Sequence, residues 1–230
     1  MSAMTWPAAS ELPGSAAAPG ASLPSSVAFD VLVLAGSLGA PEAIREIVGG
    51  LPAWFPASIL VVQHRTPAAQ HLTVELLRRS QRLPVELAQA GDRPQPGVVH
   101  VLPADEQLVV GLDGRFVPVP GPLGHGSRAN PLLDSVAQHF GARALGVVLS
   151  GTNDDGASGI VALRRAGGWV LAQNHATARC FAMPAAAIAT GCVDLVLPVD
   201  RIAHALLSLV AWPGAADLLR GPLAAWAVLD

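Results

Sequence analysis

The chain has 230 residues, 51% of them apolar and 13% charged, with a formal net charge of −3. That length holds one ample domain or two small ones, with apolar residues enough for a large core. The charge excludes an electrostatic footprint for nucleic acid or an anionic membrane. No apolar run reaches the roughly 20 residues that span a bilayer, and a secretory signal is not expected.

All 14 basic residues are arginine, and there is no tyrosine, which reads as coding bias. The two cysteines, Cys180 and Cys192, form no C-x-x-C pair. They read as buried thiols in a reducing cytoplasm rather than as a disulfide or zinc scaffold.

Residues 1–28 are rich in Ala, Pro, Ser and Gly without a period, and are expected to form a disordered leader. The body is expected over 29–212 and a separate tail over 213–230. A strand at 31–35 precedes a helical stretch, PEAIREIVGGL, that stops at a glycine pair. A second strand at 58–62 precedes HLTVELLRRS. After a short strand near 84–88 and the hinge GDRPQPG come VVHVLP, QLVVGL and RFVPV, with Asp113-Gly114 as a hairpin signal. These three runs are expected to form an antiparallel insertion. The glycine-rich GPLGHGS (121–127) leads to a helix at 131–140. Strand 145–150, helix 156–166, strand 168–173, the helical MPAAAIA, strand 193–197 and a helix at 200–211 complete the body. This alternation predicts an α/β fold, a doubly wound, mostly parallel sheet with helices on both faces and a small antiparallel insertion.

Three polar clusters follow buried strands: Gly36-Ser37-Leu38-Gly39, Gln63-His64-Arg65 and Asn153-Asp154-Asp155-Gly156. Open α/β sheets bind ligands at the carboxyl ends of their strands. A serine, a histidine and an aspartate there supply a nucleophile, a base and an orienting carboxylate. The Leu38 backbone N–H, at the start of a helix, is a candidate oxyanion donor. The same serine would also suit an N-cap before Pro41. A dinucleotide cradle fits less well, because G-S-L-G is not G-x-G-x-x-G. His125 and His175 are reserve candidates for the base or for substrate contact. Asp154 and Asp155 are equal by spacing, and Asp155 would also suit a helix cap. A metal site lacks further ligands at sensible spacing.

At these residues the chain resembles the catalytic domain of the chemotaxis protein-glutamate methylesterase family, CheB. The likeness is carried over 29–200 by AGSLGAPEAI, VVQH, VHVLP, LLDSVA, GVVLSGTNDDGASGI, AQNHATARCFAMPAAAI and GCVDLVLPV. It implies Ser37 as nucleophile, His64 as base and Asp155 as carboxylate. Thr152 stands at a position whose backbone helps the oxyanion hole in the family. The implied activity is hydrolysis of glutamyl methyl esters on chemoreceptor cytoplasmic helices, with methanol released, and in many members deamidation of receptor glutamines. No metal or organic cofactor is implied. A cytoplasmic monomer without nucleic-acid partners or membrane insertion is expected. Arg128 and His175 are the expected substrate contacts.

The chain departs from the family pattern in places. Ser37-Leu38-Gly39-Ala40 stands for the family's Ser-Thr-Gly-Gly. Ser150-Gly151-Thr152-Asn153-Asp154-Asp155-Gly156 stands for T-G-M-G-N-D-G, and Asn130 stands near a usual aspartate. The resemblance implies a stand-alone form without the receiver domain of regulated members. Two further readings compete with the methylesterase: a catalytically weakened receptor-binding module, and a hydrolase of other esters or amides.

Overall fold

A computed structural model describes residues 28–64, 67–80, 82–120, 127–212 and 214–216. The expected leader, apart from Ala28, most of the tail, and the glycine-rich loop with His125 lie outside these residues. In chain order the elements are β1 (Val31–Gly36), α1 (Ala40–Gly49), β2 (Ser58–Gln63), α2 (Pro67–Ser80), β3 (Val85–Leu87) and β4 (Val99–Val101). They continue with β5 (Leu108–Val110), β6 (Phe116–Pro118), α3 (Ala129–Phe140), β7 (Ala144–Val148), α4 (Ala157–Arg165), β8 (Trp169–Gln173), α5 (Ala182–Ala189), β9 (Leu195–Leu197) and α6 (Val199–Ala211).

Seven strands form one sheet in the order β3-β4-β2-β1-β7-β8-β9, and every pairing is parallel. Buried parallel strands read as continuous apolar runs because both faces are covered. In β1 all six residues are buried, and alternate side chains enter different cores. Leu32 and Leu34 pack with Ile44, Ile47, Leu77, Ile202 and Leu206 from α1, α2 and α6. Val31, Val33 and Ala35 pack with Leu132, Val136, Ile160 and Met183 from α3, α4 and α5. These are the two helical layers that the alternation of strands and helices predicts.

One strand is placed differently from the sequence reading. The VVHVLP run does not join the antiparallel insertion. Its strand β4 enters the main sheet between β2 and β3, parallel to both. Among the described residues only β5 and β6 form an antiparallel pair, with Val109 opposite Val117. His100 is the physical reason that β4 carries a polar residue while buried. Its ring is 3% exposed, lies edge-on to Phe116, and accepts the Gln95 N–H through Nε2 at 2.9 Å.

Both cysteines are unpaired and half-buried rather than fully buried. Among the described residues no helix is long and apolar enough to cross a membrane.

Candidate active site

Strand β1 lies between β2 and β7, and the chain leaves it toward β2 on one side and returns through β7 on the other. This is the switch point at which open α/β sheets form a crevice. The ends of these three strands carry Ser37, His64 and the 149–156 loop.

The Ser37 turn is fastened to both neighbours. The Ser37 N–H donates to the Ser150 carbonyl at 2.9 Å, and the His64 N–H donates to the Gly36 carbonyl at 3.3 Å. The Ala40 N–H closes the turn on the Ser37 carbonyl. Gly39 takes φ +83°, a left-handed conformation that favours glycine. Gly151 faces the turn so closely that an added Cβ would meet Met183 Sδ at 2.0 Å and Ser37 Cβ at 3.1 Å. The Ser150 hydroxyl donates to the Leu38 carbonyl at 2.6 Å and accepts the Cys180 N–H at 2.9 Å. Helix α1 is capped at Gly39 without a side-chain bond, so Ser37 does not serve as its N-cap. The Leu38 side chain is 50% exposed.

Of the adjacent aspartates, Asp154 is exposed and Asp155 is 2% exposed. His64 Nε2 meets Asp155 Oδ2 at 2.6 Å. The carboxylate also accepts the backbone N–H groups of Arg128, Ala129 and Asn130 at 2.8, 2.8 and 3.0 Å, and the Ser127 hydroxyl. Burial alone would raise its pKa. Hydrogen bonds from His64, Ala129, Ser127 and Arg128 outweigh that and hold it well below the usual carboxylate range. Asp155 therefore caps α3, not the helix that follows it in sequence. Helix α4 takes its cap from across the contact: Asn130 Oδ1 accepts the N–H groups of Gly156 and Gly159 at 2.9 and 2.8 Å. The start of each helix is thus satisfied by a side chain from the start of the other.

Because the ionised carboxylate only accepts, Nε2 of His64 carries the hydrogen, and Nδ1 presents its lone pair. Asn153 Nδ2 lies 3.3 Å from Nδ1. Among the described residues the Leu38 and Thr152 N–H groups donate to no acceptor, which leaves both open to a ligand.

Arg128 is one of the two expected substrate contacts. Its side chain is 8% exposed and turned inward, where it donates to the carbonyls of Pro103, Ala104 and Glu106. It ties the start of α3 to the 103–106 loop. His175 is exposed in the loop after β8, at the same edge of the sheet, with its ring edge-on to Phe181. Three contacts escaped the sequence reading: Asn153 on His64, Ser127 on Asp155, and Asn130 on α4. The only sequence signal for the last was an asparagine at the start of a helix.

A serine turn, a carboxylate-bound histidine and a helix N-terminus are gathered at the switch point of a doubly wound sheet on an α/β scaffold. The family model described as CheB methylesterase matches residues 32–206, and the chain belongs to that family. It is 40% identical over 182 residues to a protein-glutamate methylesterase/protein-glutamine glutaminase of Bdellovibrio bacteriovorus, covering 77% of this chain and 51% of that one. It is 43% identical over 199 residues to protein-glutamate methylesterase/protein-glutamine glutaminase 3 of Anaeromyxobacter dehalogenans, covering 84% and 58%. The chain thus spans little more than half the length of these curated relatives. The fold is similar to the crystal structure of the Thermotoga maritima CheB methylesterase catalytic domain, with TM-score 0.74, 30% identity, 79% of this chain and 99% of that one covered.

Proposed function

We propose that this chain is a serine hydrolase that removes methyl esters from glutamate side chains of chemoreceptor cytoplasmic helices, releasing methanol, and that it also deamidates receptor glutamines. The observation that carries the reading is the 2.6 Å bond between His64 and Asp155 at the strand edge that bears Ser37. Membership of the CheB methylesterase family and relatives named for both activities support it. A binding module would need Asp155 as the cap of α3 but not its bond to the His64 imidazole beside Ser37.

Ser37 Oγ attacks the ester carbonyl carbon while its proton passes to His64 Nδ1. The developing oxyanion is received by the N–H groups of Leu38 and Thr152. Asp155 keeps the ring in one tautomer and stabilises the imidazolium. The imidazolium returns its proton to the leaving methoxide, and methanol departs. Water then adds to the acyl-enzyme by the same route and frees the glutamate. His175 is the remaining proposed substrate contact. The catalytic body comprises residues 29–212 and works as a cytoplasmic monomer.

The test is methanol release from methylated receptor cytoplasmic fragments. Wild type should release methanol and Ser37→Ala should fall to background, a loss of several orders of magnitude. Equal release by a folded Ser37→Ala protein would overturn the reading.

A further inference from the structure

We infer that Asn153 is a positioning residue that occupies the base nitrogen of His64 in the resting state, so that turnover begins when this amide releases Nδ1 to Ser37. The inference rests on the proposed Ser37–His64–Asp155 hydrolysis and deepens it.

The geometry fixes the direction of the contact. The Asn153 carboxamide touches two groups. Its Oδ1 accepts the Asp155 N–H at 3.3 Å, and its Nδ2 lies 3.3 Å from His64 Nδ1. With the carbonyl end engaged by a donor, the amino end faces the ring. The ring nitrogen it faces is the acceptor, because the other is committed as a donor to Asp155 at 2.6 Å. Donor and acceptor are therefore matched at both ends, and a flipped amide would be mismatched at both. Among the described residues, Ser37 Oγ makes no hydrogen bond to His64, so the amide is the group that holds the nitrogen.

The consequence for the reaction is a competition. Proton transfer from Ser37 Oγ needs the Nδ1 lone pair, and one lone pair serves one donor in line. Releasing the amide costs about the worth of one neutral hydrogen bond, which corresponds to about a fivefold change in rate. Asn153 sits on the same loop as Thr152 and Asp155, so the side chain that restrains the base is carried by the segment that orients it. Every described non-glycine residue has negative φ, Asn153 included. Alanine can therefore replace it without a change in backbone preference.

The experiment measures the rate at which a fluorophosphonate labels Ser37 in the full chain, with wild type, Asn153→Ala, Asn153→Gly and Ser37→Ala side by side. In this step the serine oxygen bonds phosphorus and fluoride leaves, so no receptor contact enters. Both Asn153 variants should label about fivefold faster than wild type while remaining folded at the assay temperature. Nitrogen-15 NMR of the imidazole gives a second, activity-independent readout. The His64 Nδ1 resonance should move to lower field in both variants while Nε2 keeps its bond to Asp155. Folded variants that label no faster than wild type, or an unmoved Nδ1 resonance, would overturn the inference. Equal labelling of wild type and Ser37→Ala would instead remove the hydrolase reading, and the NMR comparison would still decide whether Asn153 holds the ring.

Discussion

Replacing Asp155 by asparagine keeps the size of the side chain but turns one acceptor oxygen into a donor. Each carboxylate oxygen already faces donors: His64 Nε2 and the Arg128 and Ala129 N–H groups on one, Ser127 and the Asn130 N–H on the other. Either orientation of the amide thus sets donor against donor. Asp155→Asn should lower hydrolysis by about 10⁴-fold through the lost tautomer control. It should also destabilise the fold by about 1–3 kcal/mol through unsatisfied groups at the start of α3. Activity assays and denaturant melts of Asp155→Asn and Ser37→Ala separate the two effects, since Ser37→Ala should lose activity alone. The folded carboxyl titrates below its unfolded value despite burial, because the hydrogen bonds outweigh desolvation. Its stabilisation is therefore complete above the unfolded pKa of about 3.9 and is lost as pH falls below it toward the folded value.

Much of this site was legible from residue type and strand position alone. Ser37 and His64 each stand one residue beyond a strand, and the sheet order brings those ends together; Asp155 lies in the loop after β7, where spacing left it level with Asp154 and only the family resemblance chose it. Arg128 was not legible, because its direction depends on where the 103–106 loop runs. Asn153 was not legible either, because an amide beside an aspartate pair carries no periodic or motif signal. Its partner is 89 residues away.

At the scale of elements, the apolar runs and glycine stops located the helices and the long strands to within a few residues. The short strands were harder. VHV reads equally as one arm of a hairpin or as a central strand, and three residues are too few for period to decide. Burial of His100 is the feature that distinguishes them. Burial lowers its pKa, against the opposing fields of Glu86 and Asp92. The neutral ring accepts the Gln95 N–H, and the protonated ring cannot. With a folded pKa below the unfolded value of about 6.5, the contribution of His100 is full above that pH and is lost as pH falls below it. The melting temperature should decline between pH 7 and 5, and His100→Gln should flatten that limb. A limb of the same slope in the variant would show that other groups carry it. The exchanged caps of α3 and α4 belong to the same scale. No local capping box predicts them, because each cap comes from the other helix.

For the molecule as a whole, the strand order decides when the site exists. β2 follows β1 after one helix, so Ser37 and His64 come from a local unit. β7 joins the other side of β1 only after β3 to β6 and α3 have been threaded, and His64 and Asp155 are 91 residues apart. Contacts of such separation form late, because chain closure must be completed before they stabilise anything. On refolding from denaturant, fluorophosphonate labelling of Ser37 should return with the slowest phase of the native circular-dichroism signal. Labelling in the earliest phase would contradict this. During synthesis the same order has a protective side. A growing chain carries its serine and histidine side by side long before the carboxylate emerges, and through that interval it is chemically quiet. Under the proposed mechanism the active site is completed in one step, when the closing of the sheet brings Asp155 to His64.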